Sequence, residues 1–280
     1  MPDDARPLVS LDDPATNPSD VASAAARLLA ERTGVDRHDV ALVLGSGWGG
    51  ATELLGDTVA EVPATDVPGF SASTVAGHVG RLTSVRIAGT DRHALVIGAR
   101  THFYEGRDVR RVAHGMRVAA AAGARTVVLT NGCGGLEPEW APGTPVLISD
   151  HINLTGASPL EGATFVDLTD LYSARLRALA REVDPALPEG VYVQFPGPHY
   201  ETPAEVQMAR RIGGHLVGMS TALEAIAARH AGLEILGLSL VTNPAAGISP
   251  TPLAHEEVLE AGRAAGPRIS RLLAEIVRRL

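Results

Sequence analysis

Short apolar segments with strand character alternate with helix-like segments along most of this 280-residue chain. The strand-like runs include DVALVLGSG, RHALVIGAR, TVVLTNG, GTPVLISD and LEILGLSLVTN, which are rich in aliphatic and β-branched residues. Segments with helical periodicity lie between them, as in VASAAARLLAERTG, which ends at Gly34. This alternation predicts an α/β fold in which a largely parallel or mixed central sheet lies between helices.

The same patterns predict a single domain preceded by a tail. Further strands are expected at RLTSVRIAG, VYVQF and LVGMS, and further helices at RDVRRVAHGMRVAAAAG, at LTDLYSARLRALARE, from Pro203, at ALEAIAARHAG, and as two helices at the C-terminus. Residues 1–18 are rich in Pro and Asp and show little periodicity. We therefore expect a flexible N-terminal tail over residues 1–18 and one domain over residues 19–280.

The composition excludes several kinds of chemistry. The chain has 24 basic and 32 acidic residues, for a net charge of −8, which disfavours a nucleic-acid partner because such binding depends on clustered Lys and Arg. No Lys is present, so Schiff-base chemistry and a P-loop are excluded. The single cysteine, Cys133, excludes an intramolecular disulfide and a metal site made of cysteines alone.

The first ten residues, MPDDARPLVS, lack the basic start and apolar run of a signal peptide. No stretch approaches the ~18 consecutive apolar residues that a membrane helix needs. The sequence therefore predicts a cytoplasmic protein that has no membrane partner.

A glycine-rich loop, Gly45–Gly50 (GSGWGG), follows the first predicted strand. Backbone N–H groups of such a loop can turn toward an anion, and the Ser46 hydroxyl can add a hydrogen bond. The spacing also fits the dinucleotide pattern G-x-G-x-x-G, but that fold needs a helix, a second strand and an acidic residue about 20 positions later. The following segment is broken by Gly56, Pro63 and Pro68. Phosphate binding is favoured over a dinucleotide site, and a plain tight turn stays open.

Arg100 and His102 follow another apolar strand and would project to the same side of an extended chain. The planar guanidinium matches the oxygens of phosphate, and the imidazole adds a second donor, so the pair suits phosphate better than a metal. The alternative is that Arg100 pairs with a structural carboxylate while His102 only packs. His78, which lies between Gly77 and Gly80, is a weaker candidate.

Two capping-box patterns, TPAE from Thr202 and TALE from Thr221, predict helix starts. Glu201 and Ser220 directly precede them, at N-termini where exposed N–H groups favour negative charge. We expect Glu201 to stay ionised and to accept hydrogen bonds, and Ser220 to donate to a bound phosphate. The alternative for Glu201 is an ordinary surface carboxylate.

Asn243 closes the strand LEILGLSLVTN, and ligands of open α/β sheets bind beyond the carboxyl ends of strands. Its amide both donates and accepts, which suits a heterocycle, although a turn role stays open. His255 opens the segment HEEVLEAG and is either a site residue or an exposed helix start.

At these residues the chain resembles the trimeric, low-molecular-mass purine nucleoside phosphorylases. The resemblance covers roughly residues 20–280 and rests on LGSGWG, STVAGHVG, the run from Arg100 to Gly106, LTNGCGGL, DHINL, GPHYETPAE, GMST, SLVTN and HEEVL in family order. It implies a single-domain phosphorylase fold with a mixed, partly barrel-like sheet surrounded by helices. It also implies a homotrimer that needs no cofactor, with inorganic phosphate as co-substrate.

The resemblance assigns a role to each candidate residue. Phosphate would be held by Ser46, His78, Arg100, His102, Gly132 and Ser220. The ribose would contact Tyr104, Tyr192, Met219 and His255, together with Phe165 from a neighbouring subunit. The base would contact Tyr200, Glu201 and Asn243, and the groups most directly involved in catalysis would be Asn243, Glu201 and His102.

The implied reaction is attack of phosphate on the anomeric carbon of a six-oxopurine nucleoside, such as inosine or guanosine. The chain departs from the family at Gly132 and Cys133, where two Ala are usual, and Cys133 is expected to be a small buried residue. A methylthioadenosine phosphorylase is the nearer rival, and Asn243 and His255 argue against it. A nucleoside hydrolase and a non-catalytic nucleoside-binding protein are the more distant alternatives.

Overall fold

The structure, a computed structural model, describes residues 10–71, 80–248 and 255–280, without the side chains of residues 255–257. Within these ranges the helices are α1 (Pro18–Thr33), α2 (Ala51–Leu55), α3 (Val109–Val112), α4 (His114–Ala121), α5 (Ala174–Val183), α6 (Pro203–Arg211), α7 (Ala222–His230) and α8 (His255–Arg279). The strands are β1 (Val40–Val43), β2 (Gly56–Pro63), β3 (Arg81–Ile87), β4 (His93–Ile97), β5 (Thr126–Gly135), β6 (Pro145–Asn153), β7 (Glu189–Gln194), β8 (Leu216–Gly218) and β9 (Glu234–Pro244). No helix in this part of the chain has both the length and the apolar character to cross a bilayer.

The strands form one mixed sheet in the order β2-β3-β4-β1-β5-β8-β7-β6-β9, and β9 also pairs with β5. That extra pairing closes β5, β8, β7, β6 and β9 into a ring, while β2, β3, β4 and β1 continue as an open sheet. Helices pack around the sheet, and the buried residues form two large apolar clusters. The predicted α/β class, with a mixed and partly barrel-like sheet, is confirmed.

Four neighbouring strands run in the same direction and bring their carboxyl ends to one edge. β1 is parallel to β4 and β5, and β5 is parallel to β9. Gly45 follows β1, Arg100 follows β4, and Asn243 lies near the end of β9. Segments far apart in sequence therefore meet at this edge, where ligands of α/β sheets commonly bind.

The helix termini follow the local sequence signals. The Asn17 side chain caps α1, and Gly34 ends that helix in the left-handed conformation at φ 69°. The predicted capping box is formed at α6: Glu205 N–H donates to the Thr202 hydroxyl and Thr202 N–H donates to the Glu205 carboxylate.

Two predicted helical segments differ from the observed helices. The two expected C-terminal helices are one helix, α8, with Pro267 inside it, because proline removes one hydrogen bond without necessarily ending a helix that is packed along its length. The expected single helix after Arg107 is instead divided into α3 and α4 at Ala113.

The second half of the expected flexible tail makes specific contacts with the domain. Leu11 is only 3% exposed, and Arg111 donates to Asp12 at 2.6 Å. Arg110 donates to the backbone oxygens of Asp13 and Pro14 at 3.0 and 3.1 Å. Residues 10–17 therefore lie against the domain surface, and residues 1–9 fall outside the described ranges.

Candidate active site

A cavity of about 360 Å³ lies at the sheet edge where β1, β4, β5 and β9 end. Most residues singled out from the sequence line it, namely Ser46, Arg100, His102, Tyr104, Gly132, Tyr200, Glu201, Met219, Ser220 and Asn243. The expected base, ribose and phosphate contacts thus share one cleft.

The glycine-rich loop is pressed against β5 at one wall of the cavity. A Cβ on Gly45 would lie 2.6 Å from the Thr130 oxygen and 2.9 Å from Arg100 Nη1, so a side chain has no room there. The Gly45 N–H donates to the Thr130 hydroxyl at 3.0 Å, and the Trp48 indole N–H donates to the Asn131 oxygen at 3.0 Å. These contacts fix Ser46 at the cavity wall.

The dinucleotide alternative for this loop does not fit the fold. The helix that follows, α2, has five residues, and the next strand, β2, pairs antiparallel with β3 at the edge of the sheet. A dinucleotide fold needs a longer helix that leads to a parallel neighbour of the first strand. The loop therefore does not belong to a dinucleotide-binding unit.

Arg100 is buried, and only part of its guanidinium donates hydrogen bonds to the described residues. Its Nε donates to Glu224 at 3.0 Å and its Nη1 donates to the Thr130 oxygen at 2.7 Å. Nη2 is buried and has no acceptor among the described residues. The structural carboxylate considered as an alternative is thus present, yet one N–H donor of Arg100 remains without an acceptor. Since leaving a buried charged donor unpaired is costly, this donor suits an anion.

His102 is oriented by Glu105, three residues later. The Glu105 carboxylate accepts from the His102 N–H at 2.7 Å and lies 3.0 Å from His102 Nδ1. The His102 ring also stacks on Tyr104, with centroids 4.9 Å apart and planes 11° apart. Burial, with a smaller contribution from Glu105, raises the pKa of Tyr104 to about 12, so its hydroxyl remains a donor at neutral pH.

Ser220 lies at the start of α7 and is buried. Its hydroxyl is 3.1 Å from that of Thr221, whose φ of 82° marks a strained turn into the helix. The Thr221 N–H donates to Glu224 at 2.9 Å, and the Asn131 amide donates to the Thr221 hydroxyl at 2.9 Å. Glu224 thus links the start of α7 to Arg100.

Tyr192 was expected to line the cavity, and this prediction is wrong. Its side chain is fully buried and lies behind Gly218, where an added Cβ would meet the Tyr192 hydroxyl. That hydroxyl accepts from the Ser220 N–H at 3.3 Å. Tyr192 therefore supports the backbone at Ser220 from inside the core and offers no surface to a ribose.

Glu201 is 6% exposed, and its Oε1 has no donor among the described residues. Burial raises the pKa of Glu201, and a backbone hydrogen bond lowers it by less. The expectation from the sequence that Glu201 stays ionised took account of the helix N-terminus but not of desolvation, which acts on the pKa in the opposite direction. An unsatisfied buried oxygen in the cavity wall suits an incoming N–H donor.

Asn243 is placed by a β-bulge. The register between β5 and β9 shifts between Cys133 and Gly134, so that Val241 and Asn243 have partners while Thr242 is the extra residue. The Asn243 amide nitrogen donates to the Pro244 oxygen at 3.0 Å, and its Oδ1 lies 2.8 Å from the Thr242 hydroxyl. The bulge and these two contacts fix the amide at the cavity.

Gly132 and Cys133, which stand where two Ala are usual in the family, fit the packing around them. A Cβ on Gly132 would lie 3.2 Å from Thr242 Cγ2, so an Ala there would crowd the bulge. Cys133 is 4% exposed and donates to the Leu240 oxygen at 3.4 Å. Burial raises the pKa of its thiol to about 12, and the prediction of a small buried residue is confirmed.

Three predicted site residues are not among those that line the described cavity, for different reasons. Phe165 is 95% exposed on the segment between β6 and α5. His78 falls outside the described residues, and His255 begins α8 with a side chain that is not described.

Sequence reasoning missed several cavity residues. Thr242, Val217 and Ala245 line the cavity beside Asn243 and Ser220. A signal for Thr242 was present in the motif VTN, but strict strand alternation would have turned its side chain away from that of Asn243. Val217 and Ala245 carry no chemical signal of their own.

Comparison with known proteins identifies the family of this site. The family model described as "Phosphorylase superfamily" matches residues 39–278. The purine nucleoside phosphorylase of Cellulomonas sp. is 70% identical over 96% of each chain. The chain belongs to the purine nucleoside phosphorylase family. It is therefore an enzyme of the phosphorylase superfamily, and the membership of this family that the order of its motifs predicted is confirmed.

Solved structures of this family have the same fold. Schistosoma mansoni purine nucleoside phosphorylase in complex with inosine is 31% identical, with a TM-score of 0.85 over 93% of this chain and 96% of that one. A second isoform from the same organism, in complex with cytosine and ribose-1-phosphate, is 32% identical, with a TM-score of 0.84 over 93% and 96% of the two chains.

Proposed function

We propose that this chain catalyses the reversible phosphorolysis of six-oxopurine ribonucleosides and deoxyribonucleosides, such as inosine and guanosine, in purine salvage. The products are the free base and ribose-1-phosphate or deoxyribose-1-phosphate. The observation that carries this proposal is a buried donor and a buried acceptor, Arg100 Nη2 and Glu201 Oε1, both unsatisfied among the described residues in the walls of one cavity. An anion would satisfy the first and a ring N–H the second.

Phosphate is assigned to the end of the cavity formed by the glycine-rich loop. Ser46, Ser220 and the Gly132 backbone supply neutral donors there, and Arg100 and His102 supply the groups that match an oxyanion. The Arg100 charge is balanced by Glu224, so the site offers directed hydrogen bonds more than net charge. The ion pair also prevents Arg100 from rotating away from the loop.

The purine is assigned to the end formed by Glu201 and Asn243, with Tyr200, 39% exposed, beside its face. Glu201 would accept the hydrogen of the six-membered ring, and Asn243 would contact the six-oxo group and the five-membered ring. Tyr104 and Met219 also line the cavity, and both side chains lie beside Gly197, where a Cβ would meet each of them. We assign the ribose to these two residues, between base and phosphate.

In the reaction, a phosphate oxygen forms a bond to the anomeric carbon as the glycosidic bond breaks. The electron pair of the broken bond stays on the purine, and a proton is taken up at the five-membered ring. The Asn243 oxygen stabilises that N–H, while Arg100 and His102 hold the attacking anion against the positive charge that develops on the sugar. Catalysis rests on positioning and fixed dipoles, without a side-chain nucleophile.

We also propose that the enzyme is a homotrimer and that Phe165 covers the ribose of a neighbouring subunit. The support is the nearly complete exposure of this aromatic side chain in the single chain, together with the family resemblance. We propose that no cofactor takes part, because phosphate supplies the nucleophile. A cytoplasmic location stays a prediction from the sequence.

A substrate panel with and without inorganic phosphate tests the proposed function. Inosine and guanosine should be cleaved only when phosphate is present, with stoichiometric release of ribose-1-phosphate. Full cleavage without phosphate would mean a hydrolase and would overturn the proposal. Preference for adenosine or methylthioadenosine would keep phosphorolysis but reject six-oxopurine specificity.

A further inference from the structure

The glycine-rich loop is held from outside the cavity by helix α8. A Cβ on Gly262, in the middle of α8, would lie 2.9 Å from the Gly47 Cα and 3.3 Å from the Gly47 nitrogen. A Cβ on Gly47 would in turn lie 3.0 Å from the Gly262 Cα and 2.9 Å from Leu240 Cδ2. The loop therefore passes between β9 and α8 with backbone directly against backbone.

This contact fixes Ser46, the residue before Gly47. On its other side, Gly45 is equally close to β5, since a Cβ there would lie 2.8 Å from the Asn131 Cα. Gly47 also has a φ of 86°, a conformation that side-chain-bearing residues rarely adopt. Because the loop is confined on both sides, a displacement at Gly47 must also move Ser46.

We propose that Gly262 is a positioning residue for phosphate, although it makes no contact with the anion. Its missing side chain allows the loop to sit deeply enough for Ser46 and the loop N–H groups to reach the phosphate. Val258, one turn earlier on the same face of α8, lines the cavity, so this helix borders the site directly. The inference rests on the proposed binding of phosphate at Ser46.

The test compares Gly262→Ala with Gly266→Ala, one turn further along the same helix. A Cβ on Gly266 would come no closer to a neighbour than 4.0 Å, to the Gly47 oxygen. Ala is favoured over Gly inside a helix, although Pro267, directly after Gly266, reduces that gain at the control position. We expect Gly262→Ala to raise the KM for phosphate about tenfold, since sub-ångström to ångström misplacement of binding groups has effects of this size or larger. The KM for inosine should change much less, and Gly266→Ala should match the wild type.

A second readout separates positioning from general loss of structure. Phosphate should raise the melting temperature of wild type and Gly266→Ala more than that of Gly262→Ala, whereas hypoxanthine should stabilise all three equally. If Gly262→Ala does not fold, adding Leu240→Val makes room on the other side of Gly47. The double variant should then fold but keep the raised phosphate KM.

The outcomes distinguish this inference from the proposed function. If wild type cleaves inosine without phosphate, the proposed function fails whatever the variants do. If wild type requires phosphate and Gly262→Ala keeps the wild-type phosphate KM, the inference about Gly262 is wrong while the function stands. Equal increases in the KM for inosine and for phosphate would also overturn it, because they would indicate a general distortion of the cavity.

Discussion

Arg100 donates to Glu224 at 3.0 Å, and the two side chains are only 2% and 4% exposed. Glu224 also accepts from the N–H at the start of α7. One buried carboxylate thus holds the cationic group of the proposed phosphate site and the helix start that carries Ser220. The two walls of that site are therefore mechanically connected.

Glu224→Gln should lower both stability and phosphate binding. Removing one partner from a buried ion pair typically costs about 3 kcal/mol or more, and Arg100 would lose its fixed orientation. Glu205→Gln is the matched control, since Glu205 occupies the same capping-box position in α6 but is only partly buried, so its loss should cost about 1 kcal/mol or less. Urea unfolding and the KM for phosphate measure the two effects. If Glu224→Gln keeps the wild-type KM for phosphate, Glu224 does not connect the two walls of the phosphate site.

Glu201 should cause kcat/KM for inosine to fall on the acid side of its pH profile. Burial raises its pKa above the ordinary 4.5, and the ionised form is the stronger acceptor for the N–H of the base, because protonation removes the charge and adds an O–H donor. Activity should therefore fall as the pH decreases through the raised pKa.

In the folded enzyme without substrate, the raised pKa of Glu201 favours the protonated form. The stability that this group contributes is therefore present below pH 4.5 and is lost as the pH rises through the raised pKa.

Nucleoside binding should oppose that loss of stability, because the base N–H favours the carboxylate. Glu201→Gln should lower kcat/KM and abolish this part of the pH profile. An unchanged fall on the acid side in the Gln variant would assign the titration to another group.

Asn243 should govern both rate and base preference. Asn243→Ala should reduce kcat on inosine by roughly 10² to 10³, which is typical for loss of one preorganised transition-state contact. Asn243→Asp should shift preference toward adenosine, because a carboxylate accepts from a six-amino group and repels a six-oxo group. The measurement is kcat/KM for inosine, guanosine and adenosine. A loss below about threefold in Asn243→Ala, far short of that typical effect, would remove the residue from the mechanism.

Phe165 should act in the neighbouring subunit, which mixed oligomers can reveal. Phe165→Ala should raise the KM for inosine without lowering the melting temperature of the chain, since the side chain is exposed. Coexpression of Phe165→Ala with Asn243→Ala should then generate some sites that have both native residues. Activity at low inosine should exceed the mean of the two parent variants. Activity equal to that mean would show that Phe165 does not act in a neighbouring subunit, and sedimentation would report the oligomeric state separately.

Chemically distinctive residues at element ends were predictable from the sequence. Asn243 closes a recognisable strand, Arg100 follows another and Glu201 precedes a recognisable helix, and parallel strands bring their ends together. The resemblance assigned Tyr192 to the ribose, and alternation along a strand could not correct this, because it gives two faces without telling which one meets a cavity. The pKa of Glu201 was also beyond the sequence, since the helix terminus was visible but the depth of burial was not.

Other differences arise from packing between distant segments. Thr242 reaches the cavity beside Asn243 only because a bulge adds one residue to β9, and nothing in the local pattern marks a bulge. Two helices were expected at the C-terminus, yet α8 continues through Pro267 as one helix. Gly262 carried no chemical signal, and its importance emerges only from its distance to Gly47.

The closure of β5, β8, β7, β6 and β9 into a ring has a consequence for altering specificity. Backbone hydrogen bonds hold each strand of the ring on both sides, so the positions of its ends do not depend on the side chains that project from them. Replacing Asn243 or Val217 should change what the cavity recognises while its walls stay in place. New substrates are therefore better sought by exchanging these terminal side chains than by remodelling the surrounding loops.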